Sequence, residues 1–124
     1  YANGGFNYDS SAEAGLGCYY YSRNTIYITK LEKNKFYVNG SLIKTVTYNS
    51  FNTVNPLHIF NYNEGNGLHE ASNEFMYYCK IWDNGTLVRD FIPVLDANKV
   101  ACFYDKLNKK YYYNMGTGTF TYGL

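Results

Sequence analysis

Apolar and polar residues alternate with a period of two in run after run along this chain, and Asn, Gly and Asp punctuate the runs. A period of two puts successive side chains on opposite faces of a strand, so the pattern predicts an antiparallel all-β domain. No segment keeps a helical period over several turns. The predicted strands are Leu16 to Ser22, Thr25 to Leu31, Lys35 to Val38, Ser41 to Tyr48 and Leu57 to Tyr62, then Glu74 to Asp83, Thr86 to Val94, Val100 to Tyr104, Lys110 to Asn114 and Thr119 to Tyr122.

Two connections are Asn-Gly dipeptides, Asn39-Gly40 and Asn84-Gly85. A two-residue type I′ hairpin needs positive φ at both central positions, which Asn and Gly supply at least cost. Phe36-Tyr37-Val38 is therefore expected to pair with Ser41-Leu42-Ile43, and Ile81-Trp82-Asp83 with Thr86-Leu87-Val88. Both dipeptides also read as glycosylation sequons, Asn39-Gly40-Ser41 and Asn84-Gly85-Thr86, but tight-turn duty explains them and no glycan is assigned. Within Glu74 to Asp83, Phe75, Tyr77, Cys79 and Ile81 fall on one face and Met76, Tyr78, Lys80 and Trp82 on the other, both largely apolar. Such a strand suits a sandwich whose outer face is partly covered or carries an aromatic binding surface. Pro93 has no N–H to give a ladder, so its strand should end there or lie at an edge. Asn61 to Asn73 reads as the one long polar loop, a length often reserved for function. No internal repeat or linker interrupts the chain, and residues 1–124 read as a single domain.

Composition narrows the picture. Aromatic residues make up 20% of the 124 residues, with 16 Tyr, 8 Phe and 1 Trp, while charged residues make up 17%. Sixteen Asn and 11 Gly supply turns, and the scarcity of Ala, Glu and Gln disfavours helices, excluding bundles and coiled coils. A chain of this length buries about two thirds of its surface on folding, enough for a core without disulfides or metals. Net charge is +1 with scattered cations, so there is no electrostatic footprint for nucleic acid. No apolar run approaches the roughly 20 residues of a membrane span, and no signal peptide is visible. Cys18, Cys79 and Cys102 cannot all pair within one chain, match no zinc spacing and read as reduced, buried thiols, which points to folding in a reducing cytoplasm. The chain begins at Tyr1 already looking like domain interior, as a piece excised from a longer protein would.

Phe75 to Val94 (FMYYCKIWDNGTLVRDFIPV), followed by Ala101-Cys-Phe-Tyr-Asp105 and Tyr112-Tyr-Asn-Met-Gly-Thr-Gly-Thr-Phe120, resembles the laminin-G-like jelly-roll domains of the concanavalin A-like superfamily, of the type found in phage tail and other virion proteins and in gut-bacterial surface proteins. Lys35 to Leu42 (KFYVNGSL) resembles a hairpin of such domains, and Pro56 to Phe60 (PLHIF) the strand after it. The resemblance covers about the last ninety residues; the first thirty match in pattern alone. It implies an antiparallel β-sandwich, strands preceding Tyr1, and placement on a virion or at the cell surface. The implied partners are a glycan or host-surface receptor and other subunits or domains of the parent protein, with neither nucleic acid nor membrane insertion.

Glycosidases share this architecture and need two carboxylates flanking the scissile bond. The Glu-x-Asp-x-x-Glu signature of the glucanase branch is absent, and Glu70 and Glu74 read as solvated loop charges. His58 lies in an apolar strand and His69 in the polar loop, without a nucleophile constellation, so no catalytic role is assigned. Laminin-G-like folds can hold Ca²⁺ through loop oxygens, and Asn61, Asn63, Glu64 and Glu70 are the candidates here, although ordinary loop polarity accounts for them and no cofactor is expected. Gly116-Thr-Gly118-Thr reads as a turn before the closing strand. Saccharide binding needs an aromatic platform with polar neighbours, and Tyr is well suited to it. The candidates are Tyr19 and Tyr21 with Arg23, Tyr62, and Trp82 with Tyr78.

Overall fold

A computed structural model describes residues 2–4, 19–45, 59, 62–63, 68–69 and 74–122, and among them the chain is all-β, with antiparallel strands and no helix. It divides into two compact units, Tyr1–Ala71 and Ser72–Leu124.

In the first unit β1 (Ala2–Gly4) pairs with β2 (Tyr19–Tyr21), Ala2 standing opposite Tyr21. Next come β3 (Thr29–Glu32), β4 (Lys35–Val38) and β5 (Ser41–Thr45), a meander in the order β3-β4-β5. Phe36 and Val38 alternate into its buried face. On the other face of β4, Tyr37 sits opposite Lys30, whose ammonium lies 5.4 Å from the ring centre and 3.0 Å from Glu32. The strand expected over Thr25 to Leu31 starts only at Thr29, because β4 ends opposite it at Val38. Ile28 instead bonds to the turn, donating its N–H to Asn39 Oδ1 at 2.9 Å and accepting from Asn39 N–H at 2.8 Å. The segment expected to be one long loop contains a short hairpin, β6 (Tyr62–Asn63) against β7 (Leu68–His69), and the Gly65-Asn66-Gly67 sequence between them has the turn chemistry a reversal needs. Of the strand expected over Leu57 to Tyr62, only Ile59, in a bend, and Tyr62 lie within the described residues.

The second unit is a sheet in the order β11-β10-β9-β8, built from β8 (Cys79–Asp83), β9 (Thr86–Leu95), β10 (Ala101–Asp105) and β11 (Lys110–Tyr112). Both Asn-Gly turns are as predicted, with φ of 48° and 80° at Asn39 and Gly40 and of 47° and 82° at Asn84 and Gly85. Each hairpin also carries a register shift: Phe36 pairs with Lys44 and Ile81 with Arg89, leaving Ile43 and Val88 as the extra residues, each the third after its turn glycine. The sequences match as well, Lys35 to Lys44 (KFYVNGSLIK) against Lys80 to Arg89 (KIWDNGTLVR), so the expectation of no internal repeat is corrected: one ten-residue hairpin pattern occurs twice.

Pro93 neither ends its strand nor disrupts it. Asp90 accepts from Lys106 N–H and Asp96 donates to Val100, so even-numbered residues of β9 near these positions bond toward β10 and Pro93 faces the opposite edge. There β8 has already stopped, its first residue Cys79 pairing with Phe91. Continuing β8 backward would set Tyr77 opposite Pro93, where no N–H is available. That is the physical reason why the strand expected from Glu74 begins at Cys79.

One face of this sheet holds an aromatic cluster. Phe91 lies 6.1 Å from Phe103 and 5.2 Å from Tyr112, and Phe103 lies 5.4 Å from Phe120. The strand expected over Thr119 to Tyr122 is not formed; Phe120 anchors this segment by its ring instead of by a ladder. Asp105, fully buried, organises the β10–β11 turn by accepting from Asp90 N–H (3.1 Å), Leu107 N–H (3.1 Å) and the side chain of Asn108, with Arg89 Nε 3.7 Å away. Burial pushes its pKa up, but the bonds from Asn108, Asp90 and Leu107 together outweigh burial and hold the carboxyl below its usual range. The other face carries Lys80, Trp82, Asp90, Tyr104 and Tyr111. Tyr104 and Tyr111 are in ring contact at 5.0 Å, and Lys106 pairs with Asp90 at 3.1 Å. Cys102 is buried and Cys79 half-buried, both reduced, and burial raises both thiol pKa values. Cys18 lies outside the described residues.

Candidate functional site

The second unit contains an open cleft of about 550 Å³ at the end of the sheet remote from the Asn84-Gly85 turn. Three short segments build it. Asp96 to Val100 forms the first wall and is held closed by one carboxylate: Asp96 Oδ1 accepts from Asn98 N–H at 2.9 Å and Val100 N–H at 2.8 Å. The Asp96 main chain completes the turn, accepting from Lys99 N–H at 2.9 Å and donating to Val100 at 3.0 Å. This sets Lys99, a residue of the cleft lining, at a φ of 62°, in the left-handed region.

The second segment is Tyr113-Asn114, directly after β11. The Tyr113 hydroxyl donates to Asp96 Oδ2 at 3.0 Å and ties this wall to the first. The Val100 N–H bond is the main cause that lowers the Asp96 pKa, helped by Tyr113 and Asn98, while donation to Asp96 raises that of Tyr113. The Tyr113 proton therefore stays on its oxygen. Asn114 accepts from Gly116 N–H at 2.9 Å and donates through Nδ2 to the Gly118 carbonyl, closing a loop over residues 114–118 as an Asx turn does. The expected turn at Gly116 to Gly118 is present as this loop.

The third segment is Thr119 to Tyr122, in which Phe120 is drawn onto the core and Tyr122 remains 63% exposed. Tyr113 is 47% exposed and Val100 49%. The lining thus combines the rings of Tyr113, Phe120 and Tyr122 with Asn114, Thr119, Thr121 and Lys99. Amphipathic rings interleaved with amide, hydroxyl and ammonium groups suit a ligand that is apolar on one face and hydroxylated at its edge. Among the described residues the one acid in its walls is Asp96, whose oxygens are taken by Asn98 N–H, Val100 N–H and the Tyr113 hydroxyl.

The residues expected to bind are distributed otherwise. Tyr19, Tyr21, Arg23 and Tyr62 belong to the first unit, in or near β2 and in β6, and Tyr78 and Trp82 to the second. Tyr21 meets Tyr27 edge-on at 4.9 Å, Ser22 N–H donates to Tyr27 Oη at 3.0 Å, and Arg23 is exposed. The side chains of Tyr19, Tyr62 and Asn63 are outside the described set, as are Asn61, Glu64, Glu70 and His58 altogether. Trp82 is 56% exposed and Tyr78 49%, and neither lines the cleft. Among the described residues no cluster of His, Cys, Asp or Glu has the makings of a metal site. The cleft residues Lys99, Tyr113, Asn114 and Tyr122 escaped the sequence reading. Their signal was an Asn set between a Tyr run and a Gly-x-Gly, the composition of a loop closed by a side chain. Comparison with protein-family models, with curated proteins and with solved structures returned no match.

Proposed function

We propose that this chain is a non-catalytic recognition module of a larger virion or bacterial surface protein, with the fold of a concanavalin A-like jelly-roll β-sandwich. It recognises carbohydrate through the cleft at Tyr113, Asn114 and Tyr122. The observation that carries the reading is the cleft's lining, the rings of Tyr113, Phe120 and Tyr122 together with amide and hydroxyl groups. A retaining or inverting glycosidase needs two carboxyl groups about 5 to 9.5 Å apart across its substrate, and among the described residues the walls of this cleft contain one, Asp96, whose oxygens are already bonded. Affinity at one shallow cleft is low, and display of several copies in a parent assembly raises it.

A second reading, an assembly domain without a glycan ligand, draws on the other sheet face. Tyr111 is exposed there against Tyr104, and Trp82 is exposed on the same face, aromatic surface of the kind that protein interfaces favour. A glycan-array screen of the protein on a multivalent scaffold separates the two, with Tyr122→Ala and Trp82→Ala beside the wild type. The cleft reading expects a glycan signal that Tyr122→Ala abolishes and Trp82→Ala preserves. An array blank at multivalent display overturns it in favour of assembly.

A further inference from the structure

The charge arrangement at the cleft says which saccharides it takes. Among the described residues Lys30 lies by Glu32 at 3.0 Å, Lys106 by Asp90 at 3.1 Å and Arg89 by Asp105 at 3.7 Å, while exposed lysines such as Lys33, Lys80 and Lys109 have no carboxylate partner. Lys99 likewise has none among the described residues, although Asp96 is three residues away and belongs to the same turn. The Asp96 oxygens are taken by Asn98 N–H, Val100 N–H and the Tyr113 hydroxyl. That network fixes the backbone of Lys99, a residue of the cleft lining. A cation in the same lining as Asn114, Thr119 and Tyr122 is the complement of an anionic group carried on a hydroxylated ring.

We infer that the cleft selects anionic saccharides, those whose pyranose bears a carboxylate or a sulfate, and that Lys99 is the residue that reads the charge. The inference rests on the carbohydrate reading of the cleft and deepens it. The sugar ring lies against Tyr122 and Tyr113, Asn114 and the threonines bond its hydroxyls, and the Lys99 ammonium meets the anion. The preference has the size of one exposed charge pair, about fivefold, and shrinks as salt screens it.

The test is calorimetric or NMR titration of the full chain with three probes: lactose, 3′-sialyllactose and 3′-sulfolactose. Wild type is expected to bind both anionic probes about fivefold more tightly than lactose at low salt, and added salt should narrow that margin. Lys99→Gln should bind all three alike, and Lys99→Arg should keep the preference. A native amide spectrum of each variant checks its fold. If wild type binds lactose and the anionic probes equally, or if Lys99→Gln keeps the margin, the charge inference falls and the carbohydrate reading stands. If the chain binds none of the three and the multivalent array is also blank, both fall. Preference for sialyllactose over sulfolactose, or the reverse, identifies which anion the Lys99 site accepts.

Discussion

Replacing Gly85 by Ala isolates a single physical quantity. A Cβ built at Gly85 meets nothing within 4 Å, so the substitution creates no clash, and its cost lies in the backbone φ of 82°. An L-residue in that region costs roughly 1–2 kcal/mol, from which the lower entropy of an unfolded chain with Ala instead of Gly subtracts about 0.4–1 kcal/mol. The net expectation is a loss of about 1 kcal/mol. Gly118 provides the opposite case: its φ lies outside the left-handed region, and its new Cβ meets only the Asn114 side chain, at 4.0 Å. Gly118→Ala is therefore expected to be neutral or stabilising by up to about 1 kcal/mol through the unfolded state alone. Urea titration followed by fluorescence is well placed to read this, because Trp82, the only Trp in the chain, pairs with Leu87 two residues from the turn. On heating, the Gly85 variant should melt about 3–6 °C lower than wild type. Equal stability of Gly85→Ala and wild type, or equal losses at Gly85 and Gly118, would refute the assignment of the cost to φ.

Phe103→Ala removes the ring that joins Phe91 to Phe120 and should cost about 3–5 kcal/mol by denaturant titration; a loss under 1 kcal/mol would show that the aromatic cluster is not the core of this unit. The Asp105 pKa is held below its ordinary value of 3.8, so its contribution is present above that value and is lost as pH falls through the lower, folded one. Stability should thus drop between about pH 5 and pH 3 in wild type, and less steeply in Asp105→Asn, as urea midpoints at the two pH values will show. Under native conditions a thiol reagent should label half-buried Cys79 before buried Cys102, and mass mapping that finds Cys102 modified first would contradict the packing of β10.

What could be read from the sequence was whatever is decided within a few residues. Positive φ at Asn39-Gly40 and Asn84-Gly85 is local chemistry, and both turns and their partner strands were legible from it. Strand ends depend on the neighbour. Nothing near Tyr77 says that it would face a proline across the ladder, and nothing near Thr25 says that β4 stops opposite Thr29. The hairpin repeat was visible in the letters, but its common bulge became apparent only in the register. The cleft was hidden for a third reason. Its lining comes from segments around residues 99, 114 and 122, which converge because Asp96 accepts from Tyr113 across a separation of 17 residues. Asp105 was likewise one acid in an aromatic run, with no local mark of the donors that surround it.

Among the described residues β9 has lost its β8 partner by Pro93, just before the cleft, and an unpaired flank is where a stray strand would add itself. Such a guest needs donors at alternate residues, and the first one it would meet past Phe91 is missing. The sheet can therefore narrow toward the cleft without offering an adhesive border to other chains there. Were the chain displayed in many copies, as the proposed function has it, crowding would bring such borders together, and one imino acid would keep them from fusing.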